Sequence, residues 1–281
     1  MKTVLTAIAF FLLQTINAQD FQGKAIYKTS SKNAFEMSSE KNSAIDDKMQ
    51  KEIQRRIQKM SQKTFVLEFD KYSSTYKQEV TLSMPKTKVG GNNVMVMSFG
   101  GASNTSVYYK NIKEKRFVNG TEIMGKRFLV KDKLPSYDWE LSSETKNIGL
   151  YTCYKASFSK EIEDKKISFK DGKTLEEVTQ KTVVTTAWYT PEVSVSNGPG
   201  NYQGLPGLIL EINDGVKTII CSEIILNPIK KNIIIEPKKG KVVSQKKFIK
   251  IQNQKSDEMM EKFKSRKGLD MGNGMNIKIG G

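Results

Sequence analysis

Residues 187–212 read AWYTPEVSVSNGPGNYQGLPGLILEI and hold three of the seven prolines of the chain. Trp188 and Tyr189 close a β-branched run that begins at Thr182, Pro191 stops that run, and Asn197-Gly198-Pro199-Gly200 is a cluster of turn formers. In Gly204-Leu205-Pro206-Gly207, Pro206 presets φ for the first central position of a turn. Gly207 supplies the positive φ of a type II turn at the second. Leu208, Ile209, Leu210 and Ile212 then leave as an apolar strand. The stretch predicts two strands joined by a stiff, wide connection, a rigid loop over the end of a core. A second role is open to it: a binding lip in which Trp188, Tyr189 and Tyr202, with Leu205, face a ligand.

The 281 residues suffice for one long domain or two small ones with a sizeable core. Only 37% are hydrophobic and the mean hydropathy is −0.49, which favours sheets with one wet face over fully buried parallel sheets. Met1-Lys2-Thr3, an apolar run from Val4 to Leu13 and a small residue at Ala18 have the form of a cleaved signal peptide over residues 1–18. The run is too short to span a bilayer stably, and no cysteine follows the cut to carry a lipid. The expected product is an exported chain, periplasmic or extracellular, with no transmembrane segment after cleavage.

The formal charge is +16, and becomes +15 when Lys2 leaves with the signal peptide. Lysines scattered over the whole chain mostly solvate a surface, and export argues against a nucleic-acid partner. A basic patch facing acidic lipid heads or an acidic partner stays open. Cys153 and Cys221 are an even pair bound for an oxidising compartment, which invites a disulfide. Two buried small hydrophobes are the other reading.

Along the chain, Phe21 to Ser30 alternates as a first strand. Ser43 opens a helix over residues 43–60, whose Ile45, Met49, Ile53, Ile57 and Met60 make one apolar stripe. Phe65, Leu67 and Phe69 lead into a hairpin ending near Tyr76. Short strands follow at Val107, Arg116, Glu122 and Arg127, with Asn119-Gly120 as a hairpin turn. More are expected over 139–141, 150–158, 161–169, 182–189, 208–212 and 217–226, and a last one at Ile233-Ile234-Ile235. About a dozen strands in series argue for a mainly β (α+β) fold, a single curved antiparallel sheet or half-barrel with an N-terminal amphipathic helix and a C-terminal helix. Residues 19–243 form one β-rich domain on this reading. Ser244 caps a helix to Lys267, and 268–281 is a glycine-rich, flexible tail.

The chain contains no histidine. That removes Ser-His-Asp and Cys-His triads and histidine-ligated zinc. A Ser-Lys pair or two carboxylates still permit hydrolysis, although no spacing marks one, and there is no P-loop or dinucleotide fingerprint. The twelve methionines, with Met259, Met260, Met271 and Met275 near the end, suit soft copper ligation. The plainer reading is that Met259 and Met260 pack the last helix.

Gly204-Leu205-Pro206-Gly207-Leu208-Ile209, preceded by Trp188-Tyr189-Thr190-Pro191-Glu192, resembles the signature of the GLPGLI family of secreted Bacteroidetes proteins. The opening Gly23 to Tyr27 strand, the hairpin from Phe65 to Tyr76 and Tyr151 to Ala156 extend the likeness. The resemblance implies location in the cell envelope and association with TonB-type outer-membrane transport systems. It implies no catalytic residues and no cofactor. The expected function is that of a non-enzymatic envelope protein binding a hydrophobic ligand or a partner segment on the concave face of its sheet. The alternatives are a methionine-based copper-handling protein and a histidine-independent hydrolase.

Overall fold

In the computed structural model, residues 21–31, 62–79, 106–170, 173–265 and 276–279 are described. Thirteen strands form one sheet: β1 (Gln22–Ser31), β2 (Lys63–Asp70), β3 (Ser73–Gln78), β4 (Val107–Asn111), β5 (Arg116–Ile123), β6 (Lys126–Lys133), β7 (Glu140–Ile148), β8 (Tyr151–Lys170), β9 (Lys173–Thr190), β10 (Leu208–Asn213), β11 (Lys217–Leu226), β12 (Lys241–Val243) and β13 (Asn276–Ile279). One helix, α1 (Gln245–Ser265), follows β12. The order is β12-β6-β5-β4-β3-β2-β1-β11-β10-β9-β8-β13, with β7 also on β8, and the two ends do not meet, so the sheet stays open. Every pairing is antiparallel except β12 on β6. None of the described helices is long and apolar enough to cross a membrane.

The two faces of the sheet are covered by different pieces of chain. Alternation along β1 and β2 sends Ala25, Tyr27, Leu67 and Phe69 to one face, the front, and all four are fully buried. There they join Val193, Val195 and Leu205 from the β9–β10 connection and Leu208, Ile209 and Ile212 from β10. Further along the same face, Phe117, Phe128 and Val130 receive Phe248 and Ile251 of α1, with Tyr108 touching both clusters. Phe248 meets Phe128 edge-on at 5.7 Å. Ser244 caps α1, its Oγ accepting the Lys247 amide at 3.3 Å.

On the back face, Tyr109, Val118 and Leu129 are covered by Ile234. Residues 227–240 form an extended strap that crosses this face. Asn232 donates its side-chain amide to the Gly23 carbonyl at one end. Glu236 accepts from Arg116 at 2.8 Å, and Pro237 lies where a Cβ on Gly120 would come within 2.9 Å. Arg116 is held charged by its hydrogen bonds to Glu236 and Glu114. Beyond the strap the chain enters β12 at the edge of the sheet.

Several expectations are revised. Asn119-Gly120 is no turn: both sit inside β5, and the reversal lies at Met124-Gly125, whose φ values are +48° and +79°. Gly120 serves Pro237 instead. The two strands expected over 150–158 and 161–169 are one, because nothing at Ser159-Lys160 breaks the ladder. Ile233-Ile234-Ile235 pairs with no strand among the described residues and belongs to the strap. Within the tail expected to be flexible, Asn276–Ile279 pairs with Lys165 to Ser168 of β8. The amphipathic helix expected over residues 43–60 lies outside the described residues.

Candidate functional site

The connection between β9 and β10, residues 191–207, is organised by its own backbone. Val195 and Asn197 donate to the carbonyls two residues earlier, both at 2.8 Å, and Gly207 does the same to Leu205. These are three-residue turns. The last is centred on Pro206, so Gly207 is not the positive-φ position of a type II turn. Positive φ in this loop is found at Gly200, +57°, and Gly204, +98°. Gly207 has a different reason to be glycine: a Cβ there would fall 2.2 Å from the Thr190 carbonyl oxygen. Gly198 is comparable, since its Cβ would meet Ile209 at 2.8 Å.

Polar groups from distant strands pin this loop from below. The Tyr27 hydroxyl donates to the Ile209 carbonyl at 2.7 Å, and the Ser74 hydroxyl donates to Asn197 Oδ1 at 3.3 Å. Lys110 of β4 is fully buried, and its ammonium donates to the carbonyls of Gly198 at 2.7 Å and Tyr202 at 2.9 Å. Burial holds its pKa well below the usual lysine value.

At the outer rim of the loop four rings gather: Tyr137, Trp139, Phe158 and Tyr202. Tyr137 and Trp139 each lie 4.9 Å from Phe158, and Tyr137 stacks on Tyr202 at 5.6 Å. All four keep part of their surface in solvent. Trp139 donates its indole N–H to the Gln203 carbonyl at 3.0 Å, and Gln203 donates its side-chain amide to Pro135 at 2.7 Å. Residues 135–139 are therefore held to the loop on both sides of Tyr137, through the single loop residue Gln203. Burial, followed by the neighbouring Asp214 charge, pushes Tyr202 up to about 12. The Tyr137 hydroxyl is buried with no hydrogen-bond partner among the described residues.

The residues expected to form a lip are not brought together. Trp188 and Tyr189 are adjacent on β9, and a strand's period of two sends them to opposite faces. Tyr189 is buried, with Tyr154 at 6.2 Å. Trp188 lies under the Lys146 ammonium, 4.4 Å from its ring, while Lys146 also pairs with Glu211 at 2.9 Å. Leu205 is 1% exposed and belongs to the core. Of the four expected residues, only Tyr202 reaches the aromatic cluster. Tyr137, Trp139 and Phe158 were missed, because they come from separate stretches that only the fold joins.

Cys153 and Cys221 are both buried in the main core and are not bonded to each other. Burial pushes Cys153 up to about 11 and Cys221 up to about 12, the latter also through the nearness of Cys153. Among the described residues no three of His, Cys, Asp or Glu gather to hold a metal ion. Met259 is half-buried on α1. The Met260 side chain, Met271 and Met275 lie outside the described residues.

No curated protein matches the chain. Two structures of PNGF-II, in different space groups, are similar to it at 12% and 11% identity with TM-scores of 0.46 and 0.47. Each alignment covers 83% of this chain, which spans 33% of the PNGF-II chain. Residues 139–211 match the model of a family described as "Protein of unknown function (Porph_ging)", a Bacteroidetes-associated family, although the model carries a different name from GLPGLI. The matched segment begins at Trp139 of the aromatic cluster and ends in β10, so it contains the whole loop.

Proposed function

We propose that this is an exported, non-enzymatic protein of the cell envelope that recognises a hydrophobic ligand or an apolar partner segment through Tyr137, Trp139, Phe158 and Tyr202. The observation that carries the reading is a partly buried cluster of four rings, each still open to solvent on one side, joined by two hydrogen bonds to a rigid loop. Rings held in one geometry offer large contact area at little entropic cost, which is why aromatic residues dominate binding hot spots. The front face is filled by the loop and α1, so the contact is made at the rim.

A curled sheet is part of this reading. Five strand spacings separate β10 from β4, about 24 Å if laid flat. One lysine side chain and the Gly198 contact with Ile209 bridge that gap, which supports a half-barrel wrapped around the loop. The resemblance in the loop motif makes a TonB-type outer-membrane system the partner to try first.

The test is native mass spectrometry of the mature protein purified from its own envelope without detergent, with sequencing of its N-terminus. Release of a lipid or peptide at fixed stoichiometry, lost in Phe158→Ala and Tyr202→Ala, supports the reading. A protein that emerges empty, and draws no partner out of the envelope in a crosslinking experiment that places Trp139 at the contact, overturns it. An N-terminus at Gln19 is expected from the proposed export.

A further inference from the structure

The strap over the back face sorts its side chains by direction. Ile234 and Glu236 point in, to the hydrophobic group around Val118 and to Arg116. Ile233 and Ile235 point out, 65% and 61% exposed, and Ile229 is fully exposed. Alternation along the paired strands adds more apolar side chains to the same outward surface. Ile220 and Ile225 of β11 sit opposite Lys28 and Lys24, on the side away from the buried Tyr27 and Ala25. Val242 of β12 sits opposite Leu129 and is 60% exposed.

Lysines are interleaved with these aliphatic groups. Lys230, Lys238 and Lys239 stand exposed on the strap, and Lys24 and Lys28 on β1 share its face. The acids nearby are largely spent within the protein: Glu68 pairs with Lys77 at 3.0 Å, Glu122 with Arg127 at 3.9 Å, and Glu236 with Arg116. Glu223 on β11 is left against five lysines. Exposed isoleucines gain nothing from water, and ammonium groups seek anions. A surface offering both matches an interface that is anionic outside and hydrocarbon just beneath.

The geometry points to the back face, from Ile220 and Ile225 across the strap to Val242, as a docking surface for an anionic phospholipid bilayer. The lysines contact headgroup phosphates, and Ile229, Ile233 and Ile235 enter the boundary with the acyl chains. The strap's anchors on the sheet, at Asn232 and Glu236, hold these side chains in place before contact. The aromatic cluster is a separate site, so the two can be tested apart.

The experiment floats the full mature chain with vesicles of phosphatidylcholine alone and of phosphatidylcholine with phosphatidylglycerol, at low and high salt. Binding only to the mixed vesicles, weakened by salt, is expected. Lys→Gln changes at positions 230, 238 and 239 should each weaken it about fivefold. Ile233→Ser with Ile235→Ser should weaken it about tenfold, whereas Val178→Ser, an exposed apolar residue on β9 away from the strap, should bind unchanged. Circular dichroism confirms that each variant is folded. No flotation with the mixed vesicles overturns the proposal. So does binding that responds to the lysine changes and not to the isoleucine changes, which marks a soluble polyanion or acidic protein as the partner. Equal binding to both vesicles, insensitive to salt, also overturns it.

Discussion

The ammonium nitrogen of Lys110 lies 2.7 Å from the carbonyl oxygen of Gly198, and its other partner is the Tyr202 carbonyl. Both partners are neutral, so the sheet fastens its central loop with a buried lysine amine that no carboxylate among the described residues pairs with.

This arrangement gives a pH dependence whose sign is fixed. The folded pKa of Lys110 is below its unfolded value near 10.5. Between the two, the unfolded chain holds the extra proton, so stability rises with pH across that window and this contribution is flat on either side. Lys110→Met abolishes that slope and leaves two carbonyls without a donor, a loss of about 1–3 kcal/mol. Urea titrations of both proteins from neutral to alkaline pH check this. The difference in favour of the wild type should widen as pH rises, and a constant difference contradicts it. The buried tyrosines Tyr27 and Tyr76, whose raised pKa values act in the opposite direction, cancel in the comparison.

Gly207→Ala should cost at least about 2 kcal/mol, because the new methyl meets backbone at Thr190, which cannot rotate away. Gly149→Ala makes the informative control. It has φ of +61° with open space around it, so it carries only the left-handed penalty of about 1–2 kcal/mol. Thermal melts of the pair should place Gly207→Ala lower.

Trp139→Phe keeps a ring in the cluster and removes the indole N–H from the Gln203 carbonyl. About 1 kcal/mol of stability is the expected loss. Limited proteolysis should also cut faster within residues 197–204. Unchanged cleavage would show that this hydrogen bond does not hold the loop.

The two thiols should be silent in the folded, reduced protein. With Cys153 at about 11 and Cys221 at about 12, almost no thiolate exists at pH 8, and both sulfurs are buried. A thiol-disulfide reagent should titrate none in the native state and two after denaturation. Protein matured in an oxidising compartment settles their pairing: no titratable thiol after denaturation marks a Cys153–Cys221 bond.

Much of the sheet was legible because its strands announce themselves locally. Ala25 and Tyr27 alternate with Lys24 and Lys28, and Leu67 and Phe69 flank Glu68, and these four apolar residues are the fully buried ones. The rigid loop was legible from its prolines and glycines, although the reason for Gly207 was not, since Thr190 approaches it only after the strands pair. Asn119-Gly120 misled because a turn signal and a close-packing site use the same residue types. Lys110 sits in Val-Tyr-Tyr-Lys-Asn, where a lysine reads as the wet side of a strand. Only the loop folding over it reverses that. The separation of Trp188 from Tyr189, by contrast, was available from strand periodicity alone.

The place where β1 meets β11 has a consequence for how the chain is assembled. Gly23 pairs with Leu226, so a strand near the start of the described chain finds its partner only near the end. Until Lys217–Leu226 is made, the meander from β1 to β6 and the group from β7 to β10 are two half-sheets, each with an open edge. An edge strand without its neighbour is a template for wrong partners, and pairing across such a long stretch of sequence is slow. The seam that unites the sheet is thus also the step at which newly made chains are most exposed to misassembly.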